Sequence, residues 1–234
     1  MAASATERDA AIVRNNRWTR LVHTACYLIT AVLLATGWWI WSGHEGQPSL
    51  LARITNEPDV ELHRTAGWAL VALAGAVLTI GVRGAFGFVR ETLRVDRGDW
   101  RWFLHWPRAA LTGRFARHER HFDPGQRIAN IAFVVAFGFV IVSGVGLTTL
   151  HGGPTFAQLV RIHRYATYAL TALTAGHVLL AIGILPGYRG VWRAMHLGGR
   201  VPIATIRRLW PASAKVDVDA SEDEEGSDTV TAGA

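Results

Sequence analysis

The chain of 234 residues has a single cysteine, Cys26. That excludes an internal disulfide and any cysteine-ligated iron–sulfur or zinc site. No CxxCH motif occurs, so a haem on this chain is held non-covalently, through histidine. Charge is equally scarce in four stretches: Leu21–Trp41, Thr65–Val82, Ile128–Leu150 and Tyr165–Tyr188 contain no Asp, Glu, Lys or Arg. Each is close to or above the roughly 20 apolar residues that a helix needs to cross a bilayer. The polar start, Met1 to Arg17, lacks a small-residue cleavage pattern after a short apolar core, so the first run is read as a retained helix.

These runs predict an all-α membrane protein: a four-transmembrane-helix bundle, since helices in lipid come together to hide what is polar. Residues 1–17 form a polar N-terminal tail, 18–215 the transmembrane domain, and 216–234 an acidic tail without aromatics that predicts disorder. Arginine sets the orientation. Twenty of the 24 basic residues lie in the N-terminal tail, in Arg83–Arg127 and in the C-terminal part, which predicts both termini on the cytoplasmic side of the cell membrane. Trp38, Trp39 and Trp41 then mark the outer boundary of the first helix.

Only two ionisable groups interrupt the runs, His23 and His177. An ionisable side chain at such depth is a functional-site hypothesis by default. His163 precedes His177 by fourteen residues. On one helix that is about 40° short of four turns and roughly 21 Å of rise, so both imidazoles leave nearly the same face at two depths. Two stacked haems need this spacing. By the predicted orientation, His63 and His163 share the outer level, and His23 and His177 the inner one. The sequence therefore predicts His23, His63, His163 and His177 as axial ligands of two haem irons.

A porphyrin packed on a helix needs faces without side chains, and Gly37, Gly67 and Gly81 recur near these levels. The same glycines also suit close helix contact in lipid. Arg64 and Arg164 beside the outer pair, and Arg20 near the inner one, are placed to neutralise haem propionates or to snorkel to lipid phosphates. His44, His105, His118, His121, His151 and His196 fall in loops or basic segments and carry less weight. Between the second and third runs, Trp100, Trp102, Phe103, Trp106 and Phe115 alternate with arginines, which predicts short interfacial helices on anionic lipid. Tyr188–Pro211 reads the same way. Nucleic acid is set aside as a partner, because the membrane already accounts for the basic and the aromatic residues.

His121-Phe-Asp123-Pro124-Gly125-Gln126-Arg127 opens the third run. Asp123 predicts a helix cap with Pro124 at the first helical position. If the chain passes electrons to a quinone, as the family resemblance set out next implies, the same turn is the expected quinone site. A helix N-terminus favours charge developing on a quinone oxygen, Gly125 admits the ring, Gln126 donates a hydrogen bond, and Asp123 caps or relays a proton.

From about Arg17 to Pro211 the chain resembles the cytochrome b (gamma) subunit of membrane-bound formate dehydrogenase, within the di-haem b-type subunits of respiratory oxidoreductases. The carriers are the His23 segment, Leu62-His63-Arg64 with Gly67, Gly125-Gln126-Arg127, the Ile162-His163 to His177 spacing, and Trp210-Pro211. The resemblance implies two b haems bound by the matching histidines. It also implies an iron–sulfur subunit as electron donor, a catalytic dehydrogenase subunit beyond it, and a membrane quinone as acceptor. The chain would then be the electron-transfer and quinone-reducing subunit rather than the one that oxidises the primary substrate. The family has Asn-Ala-Gly-Gln where this chain has Asp123-Pro124-Gly125-Gln126. Two other readings stand beside it: the equivalent cytochrome b of a hydrogenase or thiosulfate reductase complex, and a haem-free membrane anchor or transporter.

Overall fold

A computed structural model of the chain describes residues 11–44, 46–116 and 122–210. His118, His121 and the acidic 216–234 segment lie outside these residues. In chain order the elements are strand β1 (Ala11–Val13), helices α1 (Arg17–Trp41), α2 (Leu50–Thr55), α3 (Asp59–Thr79), α4 (Val82–Thr92), α5 (Asp99–Thr112), α6 (Pro124–Thr149) and α7 (Gly153–Ala181), then three short 3-10 turns, strand β2 (Arg200–Pro202) and helix α8 (Ile203–Leu209).

The protein is mostly helical. Helices α1, α3 and α6 are each long and apolar enough to cross a membrane, and a fourth span is reached if α7 and Pro186–Ala194, bent by 71° from it, count as one. Outward-facing apolar side chains such as Val134, Val135, Phe139 and Val142 on α6 suit contact with lipid tails.

Two helices stop short of the apolar runs that predicted them. α3 ends at Thr79, and at Gly81 a Cβ would stand 2.8 Å from the Val77 carbonyl oxygen. α7 ends at Ala181, where Gly183 takes φ +76° and a Cβ would stand 3.0 Å from the Arg189 Cα. Pro186, which has no N–H to donate, follows at the first position of a 3-10 turn. Apolar composition runs across these breaks; backbone conformation does not.

The chain divides into two compact units. One comprises residues 18–89 and 130–175, which include most of α1, α3, α6 and α7. Within it the Trp38 indole donates to Thr171 Oγ1 at 3.2 Å and stacks on Tyr168. Trp39 donates to the Gln47 carbonyl at 2.8 Å. α6 and α7 approach closely at Gly146, where a Cβ would meet Leu159 Cδ1 at 2.7 Å. The loop before α3 is fixed by Asp59, whose carboxylate accepts from the backbone N–H and the hydroxyl of Ser49, the cap of α2.

The other unit comprises, among the described residues, 11–17, 90–116, 122–129 and 176–210. Its core is Ala110, Tyr188, Ala194, Val201, Ile206, Leu209 and Trp210, with Trp106 and Phe115 packed against it. β1 and β2 pair antiparallel, with Ile12 opposite Val201. The Trp106 indole donates to the Tyr188 hydroxyl at 2.7 Å. Of the aromatic segment, Trp100, Trp102, Phe103 and Trp106 lie on helix α5, and Phe115 follows it. Trp102 is buried and Trp106 packs on the core, while Trp100 and Leu104 stay exposed.

Candidate functional site

His63 sits in the second turn of α3, and His163 in the third turn of α7. Their rings are 6.2 Å apart between centroids and stand at 80° to each other. Each is held by a hydroxyl from a further helix. Thr36 Oγ1 of α1 lies 3.0 Å from His63 Nδ1, and Ser143 Oγ of α6 lies 3.0 Å from His163 Nδ1. Both hydroxyl-bearing residues are almost wholly buried, at 1% exposure.

The tautomer at each contact is assigned by counting donors. A hydroxyl has one proton to give. That of Thr36 goes to the Val32 carbonyl at 2.7 Å, and that of Ser143 to the Phe139 carbonyl at 2.5 Å. Each oxygen is thus left as an acceptor, and the imidazoles donate from Nδ1. Nδ1–H leaves Nε2 with its lone pair, which is the form of histidine that binds a metal.

Glycine makes the room. A Cβ on Gly37 would stand 3.1 Å from His63 Cε1, and one on Gly144 would stand 3.3 Å from His163 Cε1. One turn beyond His63, the space beside Gly67 is open, with nothing within 4 Å of a Cβ there.

The pair fits a haem iron. With metal–imidazole bonds of about 2 Å and ring nitrogens about 1.1 Å from their centroids, two imidazoles on one iron stand roughly 6 Å apart between centroids. Among the described residues no group of three or more His, Cys, Asp or Glu converges on a common point. Arginine fits as well: among the described residues, the buried Arg164 Nε and Arg20 Nη1 have no hydrogen-bond partner. The Arg164 guanidinium lies 4.6 Å from the centre of the Trp41 ring. Arg64 is exposed and paired with Glu61 at 2.6 Å.

The other two predicted ligands fall in different units. His23 is on α1 in the first, with its ring edge-on to Tyr27 at 5.8 Å. His177 belongs to the second unit, on the same unbroken helix as His163.

At the start of α6, Asp123 Oδ1 accepts from the Gln126 N–H at 2.8 Å, and the Asp123 carbonyl accepts from Arg127 N–H at 3.0 Å. Asp123 is the helix cap. Gly125 is needed for a reason the sequence reading did not anticipate: the ring that approaches it is the Trp102 indole, whose Cη2 would be 2.7 Å from a Cβ. Among the described residues no hydrogen bond engages the Gln126 side-chain amide. Beside it Arg127, 3% exposed, pairs with Asp99 at 2.6 Å and Asp96 at 3.9 Å, and donates to the Arg94 carbonyl.

Sequence reasoning missed Thr36, Ser143 and Gly144. The signal was a repeat. Leu62-His-Arg-Thr-Ala66 matches Ile162-His-Arg-Tyr-Ala166, and each follows a helix bearing a hydroxyl residue before glycine, Thr36-Gly37 or Ser143-Gly144. No curated protein matches the chain. The family model of the prokaryotic cytochrome b561 matches residues 14–198, most of the chain. With a histidine pair suited to haem iron between apolar helices, the chain belongs to the prokaryotic cytochrome b561 family.

Proposed function

We propose that this chain, a membrane haem b electron-transfer protein by its family, holds two b haems and passes electrons through them to a quinone. The observation that carries this reading is the His63–His163 pair, with each Nδ1–H committed to a hydroxyl and each Nε2 left for iron. Haem, when bound, supplies one-electron exchange between ferric and ferrous iron.

The chain's own residues do the rest. His63 and His163 ligate on the outer side, and His23 and His177 on the inner side. Arg164 neutralises a propionate at the outer haem, where Arg64 is already paired with Glu61, and Arg20 does so at the inner one. The apolar helices exclude water, so that charge stays where the ligands hold it. At the start of α6 the Gln126 amide donates to a quinone oxygen, while Asp123 keeps the helix end capped. Two electrons arriving singly and two protons from the cytoplasmic side convert quinone to quinol. The donor, by resemblance, is an iron–sulfur subunit of a formate dehydrogenase-type complex.

The test is haem content by pyridine haemochrome together with redox titration of purified protein. Two low-spin b haems per chain are expected, one of which is lost in His63→Ala and in His163→Ala. One haem in the wild type, or two in both variants, rejects the assignment. In membranes, formate should reduce both haems; reduction by hydrogen alone, or reoxidation of the reduced haems by thiosulfate, would give the chain a different extrinsic partner. Gln126→Ala should leave the haems reducible and slow their reoxidation by quinone in rapid mixing. Wild-type reoxidation would remove the quinone from this position.

A further inference from the structure

The two hydroxyl contacts do more than fill space. Thr36 and Ser143 come from different helices and hold different histidines, yet the arrangement is the same in each. The hydroxyl proton goes back to the carbonyl four residues earlier, the oxygen meets Nδ1 at 3.0 Å, and the next residue is a glycine against Cε1. Back-bonding of this kind gives a helix no net stability and tends to bend it. Two buried instances, each aimed at a histidine, point to a role in the site.

We infer that Thr36 and Ser143 are the positioning residues of the His63–His163 haem site, fixing the tautomer and the plane of each axial imidazole and, through Nδ1, its strength as a donor to iron. The inference rests on the ligand assignment proposed above. Three physical consequences follow from the geometry. An Nδ1–H that gives its hydrogen bond to an oxygen acceptor makes Nε2 a stronger donor, which stabilises ferric over ferrous iron and lowers the potential. With Oγ on one side of each ring and glycine at Cε1, neither imidazole can turn freely about its Cβ–Cγ bond. The rings are therefore held near the 80° at which they stand. Axial imidazoles with near-perpendicular planes give low-spin ferric haem one strongly anisotropic low-field EPR feature, whereas near-parallel planes give a rhombic spectrum of three lines.

Thr36→Val keeps the shape and removes the acceptor; Ser143→Ala does the same for the other histidine. Either should raise the midpoint potential of one haem and leave the second unmoved. Each should also shift that haem's low-field EPR feature, and weaken its retention by about 10-fold to 100-fold. Thr36→Ser, which restores an oxygen, should return all three readouts to wild type. If a variant loses the haem altogether, the Ser replacement decides: recovery of haem with the wild-type potential supports the hydroxyl's role. Thr36→Ser behaving like Thr36→Val overturns it, because shape and not oxygen would then matter. Unmoved potential, EPR and retention in both Thr36→Val and Ser143→Ala overturn it too, while His63→Ala still losing one haem would leave the ligand assignment standing. Full haem in His63→Ala and His163→Ala would reject the assignment and this inference together.

Discussion

Gly125 and Trp102 are in contact so closely that a methyl group on the glycine would fall 2.7 Å from Cη2 and 3.0 Å from Cζ3 of the indole. The indole belongs to α5, is 4% exposed, and lies over the first turn of α6. The glycine is thus required by packing inside the protein. Gly125→Ala should destabilise the fold by about 1–3 kcal/mol, the usual cost of overpacking, read as a lower unfolding midpoint in detergent. The double change Gly125→Ala with Trp102→Leu should recover part of that loss. A Gly125→Ala protein with wild-type stability but slow haem reoxidation would instead return the glycine to the quinone.

Arg127 and Asp99 make the other contact that anchors this end of α6. The guanidinium is buried, and its Nη2 lies 2.6 Å from Asp99 Oδ1. Asp99 also accepts the Asp96 N–H at 2.9 Å through its second oxygen, which ties the start of α5 into the same network. Removing one partner leaves a buried charge uncompensated, which costs about 3–5 kcal/mol. Arg127→Met and Asp99→Leu should each show that loss in thermal unfolding, and the double variant should lose much less than the sum of the two. Additive losses would mean that the two side chains do not stabilise each other.

The legible and illegible parts of this chain differ in physical kind. Apolar runs long enough to span were legible from the absence of charge, His163 from its fourteen-residue spacing to His177, and His63 from its place at the same outer level. Asp123-Pro124 could be read as a helix start because capping is local chemistry, satisfied within four residues. The helix ends at Thr79 and Ala181 were not, because they are set by backbone conformation at Gly81 and Gly183, inside stretches of unchanged hydrophobicity. Thr36 and Ser143 were passed over because a hydroxyl within an apolar helix usually bonds its own backbone, as both do; the histidine on the far side of the oxygen is a tertiary fact. The contact of Gly125 with Trp102 was illegible for the same reason, since Trp102 lies more than twenty residues earlier in the chain.

Arg164 follows His163 directly and turns its guanidinium onto two aromatic faces, 4.6 Å from the Trp41 centroid and 5.7 Å from that of Tyr165. A cation held over aromatic rings is stabilised without giving up its charge. Among the described residues its buried Nε has no hydrogen-bond acceptor, so the group retains capacity for an anionic partner. Near a haem it should favour the ferrous state, which carries one positive charge fewer at iron. Arg164→Leu should therefore lower the midpoint potential of the haem bound by His63 and His163, relative to the other haem in the same titration. Arg164→Lys keeps the charge but loses the planar contact with Trp41, and should fall between the two. Equal potentials in wild type and Arg164→Leu would mean that the guanidinium serves the Trp41 contact and the lipid boundary, with no field at the haem. The exposed Arg64, already neutralised by Glu61, supplies the control: its replacement by Leu should move the same potential less, because an exposed charge is screened by solvent.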